Sequence, residues 1–288
     1  MLEVRNLTKR LPDGRALLNG LSFTIGKGEF VALLGASGAG KSLTMRAIVG
    51  LTSVSDGEVV FTGETGKVYR TTSTGAKDLR RARRNIGFIF QGCNLVRRLS
   101  VLDNVMIGRL GRIHPLRSWL YGFTDHEAQE AMEALDRVGM ADFAARITGS
   151  LSGGEMQRVA IARAIYQRPL FYLADEPIAA LDPKNADVIM RLLQPLSREN
   201  PILGAFHQPE LVTRCCTRII ALRKGQVVYD GPPCLSPKEI AGLYADTGGV
   251  TSEDDGANPV PRPMDYAVNW PGHTVKIAAE CSGSAGKS

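Results

Sequence analysis

Along this chain, short apolar runs of strand length alternate with segments that read as helices. Residues 30–34, Phe-Val-Ala-Leu-Leu, are uninterrupted and suit a parallel strand covered on both faces. Similar runs return at residues 86–90, 170–174, 203–206 and 219–222. Residues 43–49 and 156–166 read as helices, and a helical stretch over residues 101–166 interrupts the strand pattern. Turns at Asp13-Gly14 and Gly26-Lys27-Gly28 break an N-terminal β-rich layer, and residues 57–69 carry hairpin material. The pattern predicts an α/β fold with a parallel core, a β subdomain in front and a helical insertion.

Between the first apolar run and its helix stands Gly35-Ala36-Ser37-Gly38-Ala39-Gly40-Lys41-Ser42, a G-x-x-x-x-G-K-S loop. Glycines let the backbone approach an anion closely, and the N–H groups and dipole of the next helix favour phosphate. Lys41 would reach the β- and γ-phosphates, and the Ser42 hydroxyl would hold Mg²⁺. A Gly-rich turn can precede Lys-Ser by chance, but the strand before and helix after make a nucleotide site the better reading. A second chemical pair, Asp175-Glu176, closes the strand at residues 170–174. Side chains alternate along a strand, so the two carboxylates can serve different tasks. Asp175 suits a partner of Mg²⁺ and Glu176 a general base for water. An acidic pair ending a strand is commonplace alone; after a phosphate loop it gains meaning.

A hundred residues on, Leu151-Ser152-Gly153-Gly154-Glu155 completes the set. Ser152 followed by Glu155 is a capping box, and Gly153 and Gly154 leave a helix N-terminus bare enough to face an anion. With these motifs in this order, the chain from residue 1 to about 244 resembles the nucleotide-binding subunit of an ABC transporter. The implied fold is a P-loop NTPase core with an N-terminal antiparallel β subdomain and an inserted helical signature subdomain near residues 95–166. The resemblance implies ATP and Mg²⁺ as ligands and ATP hydrolysis as the activity. Gly35, Ala36, Ser37, Gly38, Ala39, Gly40, Lys41 and Ser42 match its phosphate loop, and Ser42, Gln91 and Asp175 its metal-facing residues. Glu176 matches the catalytic glutamate, Gln91 the glutamine that senses metal or water, and His207 the histidine at the γ-phosphate. Ser152, Gly153 and Gly154 match the signature, which faces ATP held by a second copy; residues 180–182 match the adjoining D-loop.

Two departures carry expectations of their own. Leu11 aligns with the aromatic residue that stacks on adenine, and loss of stacking costs about 1–3 kcal/mol in comparable sites. The segment before His207 is about two residues short and contains Gly204, which bears on the histidine's reach.

The resemblance also implies partners: a homodimer, integral membrane permease subunits and, indirectly, an extracytoplasmic substrate-binding protein. Residues 108–112, Gly-Arg-Leu-Gly-Arg, and the Trp-containing residues 115–122 are similar to ATPases of phosphonate importers. Importers of phosphate or phosphite, exporters, and accessory ATPases of phosphonate breakdown are the alternatives. Nucleic acid is not an expected partner, since the chain has neither a tandem domain nor a coiled-coil insertion, and the basic residues 77–84 read as a solvated face. The net charge of +6 is modest and suits an anionic leaflet nearby. No apolar run approaches a membrane span and no signal peptide is read, so a peripheral subunit on the cytoplasmic face of a bacterial inner membrane is expected. Five cysteines without metal spacing read as reduced thiols. Residues 247–288, rich in Gly, Pro and Ser, read as a mobile tail after a nucleotide-binding domain at 1–246.

Overall fold

The computed structural model describes residues 1–63, 65–112, 123–235, 239, 240 and 242. The chain separates into two units, Met1–Thr247 and Gly248–Ser288. The second lies outside the described residues, as does the predicted tail and the Trp-containing segment at 115–122.

Six strands form the central sheet in the order β10-β9-β3-β8-β7-β6. They are β3 (Phe30–Leu34), β6 (Ile86–Ile89), β7 (Phe171–Asp175), β8 (Ile202–Ala205), β9 (Arg218–Arg223) and β10 (Gln226–Gly231). All neighbours are parallel except the β9–β10 hairpin. An antiparallel sheet, β2-β1-β4-β5, lies in front, built from β1 (Leu2–Arg10), β2 (Ala16–Ile25), β4 (Asp56–Thr62) and β5 (Val68–Arg70). Among the described residues the helices are α1 (Lys41–Ile48), α2 (Ala76–Arg83), α3 (Val101–Met106), α4 (Asp125–Asp136), α5 (Gly153–Tyr166), α6 (Pro183–Glu199) and α7 (Pro209–Cys215).

The unbroken apolar runs are explained by cover on both faces. Phe30, Ala32 and Leu34 of β3 point into one core with Tyr172, Ile202 and residues of α3 to α6. Val31 and Leu33 point the other way, with Leu173, Leu203, α1 and the antiparallel sheet. Alternation along each strand therefore feeds two cores, and neither face can tolerate a polar residue.

The expected helical stretch at 101–166 is not continuous. α3 passes into a 3-10 turn at Ile107–Arg109, and α4 and α5 are separated by Gly139 at φ +66° and by 3-10 turns at Ala141–Phe143 and Thr148–Ser150.

Strand order and register fix what the carboxyl edge presents. Leu33 pairs with Ala205, Ala205 with Asp175, and Ala174 with Ile89. The loops leaving β3, β8, β7 and β6 therefore emerge side by side at one height, where open α/β sheets bind ligands.

Candidate functional site

The loop after β3 departs at Gly35, whose φ is +146°; a Cβ there would stand 2.3 Å from the Leu222 carbonyl oxygen. Only glycine lets the chain turn away at that point. The loop closes through a bond from the Ala39 amide to the Ala36 carbonyl, 3.1 Å, and enters α1. That helix has no side-chain cap and no acid in its first turn. By contrast α3 to α6 are capped by Ser100, Thr124, Ser152 and Asp182. The N–H donors and the positive dipole end of α1 are thus left for an anion. Lys41, 5% exposed, donates to the carbonyls of Gly35 (2.7 Å) and Ala36 (3.1 Å). Burial holds its ammonium below the usual lysine range, opposed by the charges of Glu176 and Asp175.

Across from the loop, the acidic pair divides its work. Asp175, 7% exposed, accepts a hydrogen bond of 2.8 Å from Ser42 Oγ. Burial pushes its carboxyl up and the Ser42 bond draws it back down. The backbone then turns, with Glu176 at φ +49°. Its Oε1 lies 2.7 Å from His207 Nε2, and its Oε2 accepts 2.9 Å from Gln91 Nε2. A cavity of about 270 Å³ opens between these groups, lined by Ser37, Gly38, Gly40, Lys41, Ser42, Glu176 and His207, with Leu17 and Leu43 as apolar wall. Gly35, Ala36 and Ala39 frame the loop, Asp175 is reached through Ser42, and Gln91 through Glu176. Ser152, Gly153 and Gly154 are not among the cavity's lining residues.

This arrangement offers amides and an ammonium for phosphates, paired hard oxygens for a cation, and a carboxylate held between an amide and an imidazole. Residues 18–179 match the ABC transporter family. The phosphonates import ATP-binding protein PhnC 2 of Synechococcus sp. (strain JA-2-3B'a(2-13)) is 41% identical over 85% of this chain and 91% of its own. The phosphonates import ATP-binding protein PhnC of Nitratidesulfovibrio vulgaris (strain Hildenborough) is 43% identical over 84% and 91%. The chain belongs to the ABC transporter family.

Among solved structures, the dimeric ATP-binding cassette MJ0796 in a post-hydrolysis state bound to ADP and Pi is similar. It is 31% identical with a TM-score of 0.67, covering 82% of this chain and all of that one. The ADP conformation of the cassette MJ1267 gives a TM-score of 0.70 at 26% identity, covering 86% and 95%.

In this ABC cassette Ser152 caps α5. The helix starts at Gly153, three residues before the predicted start at Met156. Glu155 Oε2 takes both donors of Ser152, the amide at 2.7 Å and the hydroxyl at 2.6 Å. Those bonds, the Ser152 hydroxyl's foremost, hold the Glu155 carboxyl below the usual range. The carboxylate is thus folded back as a cap. Gly154 packs closely, since a Cβ there would lie 2.9 Å from Asn185 Oδ1 and displace that side chain.

Leu17 of β2, which sequence reasoning did not single out, also lines the cavity. Leu17 had no local signal; its carbonyl lies against Gly40 and Gly225, residues far from it in sequence. Cys93 is half-buried and donates to Gln157 Oε1 at 2.8 Å, while burial pushes its thiol up. The basic residues at 77–84 form α2 with an i,i+3 pair between Arg81 and Asp78, 3.3 Å. Among the described residues, no helix is long and apolar enough to cross a membrane.

Proposed function

We propose that this chain is the ATP-hydrolysing subunit of a phosphonate importer, acting as a pair of copies at the cytoplasmic face of a bacterial inner membrane. Integral permease subunits receive its movements, and an extracytoplasmic substrate-binding protein delivers the ligand to them. The phosphonate assignment is supported by relatives named as phosphonates import ATP-binding proteins, 41–43% identical over most of both chains. The paired assembly is supported by the dimeric MJ0796 cassette and by the separation of Ser152–Gly154 from the chain's own cavity.

The single observation that carries the activity is the geometry of Glu176. Its carboxylate is bracketed by Gln91 and His207 at the mouth of a phosphate-binding loop. ATP lies with its phosphates on the amides of residues 35–42, and Lys41 meets the β- and γ-phosphates. Glu176 takes the proton of the attacking water, a role that contributes about 10²–10⁴-fold in rate. His207, 2.7 Å from Glu176 Oε1, faces the γ-phosphate beside it. Ser152, Gly153 and Gly154 of a second copy close over that phosphate with the N-terminus of α5.

The residues fit Mg²⁺. Ser42 Oγ and Asp175 Oδ1 lie 2.8 Å apart, a hydroxyl and a carboxylate of the kind that bind this ion together with substrate phosphates. Ser42 and Asp175 would hold it, with the side-chain amide oxygen of Gln91 as a third donor. Bound there, the ion supplies neutralisation of phosphate charge.

The deciding experiment is ATP turnover by the complex of this chain with its permease, reconstituted in liposomes with candidate binding proteins. Stimulation by a phosphonate-loaded protein is expected. Stimulation only by a protein loaded with another oxyanion would overturn the substrate assignment.

A further inference from the structure

Two residues after Gln91 the backbone makes a turn that the nucleotide site does not explain. Cys93 and Asn94 both stand at positive φ, +59° and +47°. Asn adopts that region readily, but Cys does so at a cost, and an external hold accompanies the turn. The hold comes from α5. Arg163 Nη2 donates to the Cys93 carbonyl at 2.7 Å, and Nη1 donates to the Asn94 carbonyl at 2.6 Å. Gln157, 2% exposed on the same helix, accepts the Cys93 thiol proton at 2.8 Å. Among the described residues no carboxylate forms an ion pair with Arg163. Its planar fork is committed to two adjacent backbone carbonyls, which an ammonium could not match. Gly108 seals the other side, since a Cβ there would lie 2.6 Å from the Arg163 carbonyl oxygen.

The consequence is a continuous chain of contacts. Its first member is the helix whose N-terminus carries Ser152, and its last is Gln91, 2.9 Å from Glu176. We infer that Arg163 is a positioning residue for hydrolysis, locking the turn behind Gln91 to α5 so that Gln91 reaches Glu176 only as α5 is placed. This rests on the reading of Gln91 and Glu176 as parts of the hydrolytic site. The lock makes one rigid unit of the signature helix and the glutamine loop within a single copy.

The test uses the full chain with Cys234→Ser and Cys281→Ser, because Cys215 and Cys216 are buried and Cys93 then reports alone. Arg163→Lys keeps the charge and loses the fork. Expected is a fall in kcat of about ten- to a hundredfold, as for a small misplacement of a reacting group. The KM for ATP should stay within about twofold, since the phosphate loop is untouched. Maleimide should label Cys93 faster than in the parent. Adding Arg163→Lys to Gln91→Ala should slow turnover no further, because both act through one group. Asn94→Gly, which accepts positive φ freely, should restore part of the lost turnover. Parental kcat and labelling in Arg163→Lys, or effects that multiply with Gln91→Ala, would overturn the lock.

Gln157→Met is the second variant should Arg163→Lys fail to fold. Faster labelling with a parallel loss of kcat supports the lock, and faster labelling at parental kcat overturns it. Parental turnover in Gln91→Ala would instead sink the reading of Gln91 itself, leaving the labelling rate to decide whether Arg163 holds the turn.

Discussion

His207 Nε2 stands 2.7 Å from Glu176 Oε1, although 31 residues separate them in sequence. They meet because β8 lies beside β7, with Ala205 paired to Asp175 one position before Glu176. The short approach through Gly204 therefore delivers the imidazole to the carboxylate. Glu176→Gln should lower kcat by about 10²–10⁴-fold while ATP still binds. Phosphate release and nucleotide retention on the same preparation check this. Turnover at the parental rate would remove Glu176 from the base role.

Ser42 and Asp175 form the second pairing to probe. Chelation should abolish turnover, and added Mg²⁺ should restore it. Ser42→Ala should raise the Mg²⁺ concentration for half-maximal turnover by about tenfold, the size of one lost ligand contact. A magnesium titration of both proteins reads the shift; coincident curves would exclude Ser42 as a ligand.

Gly154→Ala places a methyl group 2.9 Å from Asn185 Oδ1, a side chain tied to Asp182 at 2.6 Å. The overpacking should cost about 1–3 kcal/mol in stability. It should also weaken ATP-driven pairing of copies, measured by sedimentation in the Glu176→Gln background. Unchanged pairing would argue against a phosphate contact at this helix end.

Glu155 gives a pH prediction. Its folded value lies below the ordinary 4.5, chiefly through the Ser152 hydroxyl. The carboxylate therefore contributes stability above about pH 4.5 that is lost as pH falls through the lower folded value. The melting temperature of the parent should drop more steeply between about pH 5 and pH 3 than that of Glu155→Gln, whose amide keeps a cap but does not titrate. Parallel curves would show that the cap is not what acid removes.

Phe206, 1% exposed, meets Phe30 edge-on at 6.0 Å between ring centres. Phe206→Ala should cost about 3–5 kcal/mol by urea unfolding. Because His207 follows directly, the folded fraction should also turn over more slowly. A loss of stability with parental kcat per folded molecule would separate the ring from the histidine's placement.

Much of the core and the site was legible because its signals are local. An apolar run at 30–34 followed by spaced glycines and Lys-Ser encodes strand, loop and helix within a dozen residues. The start of α5 was less legible: two glycines at its head have poor helix propensity, and they are accommodated only because Ser152 and Glu155 cap the helix and Asn185 crowds Gly154. The stretch at 101–166 read as one helical block because residues 137–152, between α4 and α5, contain no proline and fold into 3-10 turns whose local pattern is close to helical. Leu17 was invisible, since its place beside the loop rests on contacts distant in sequence, its carbonyl lying against Gly40 and Gly225. The Arg163 contacts were equally hidden, because nothing in the residues near Cys93 announces a guanidinium seventy positions away.

The cavity is lined without Ser152, Gly153 and Gly154 of its own chain, and this has a genetic corollary. If those residues come from a twin, a polypeptide damaged at Gly154 carries its defect into whichever sound copy it meets. With equal amounts of intact and damaged protein, random pairing would leave only about a quarter of assemblies whole. Such alleles should behave as dominant, and co-expression with the wild-type chain would expose the interference.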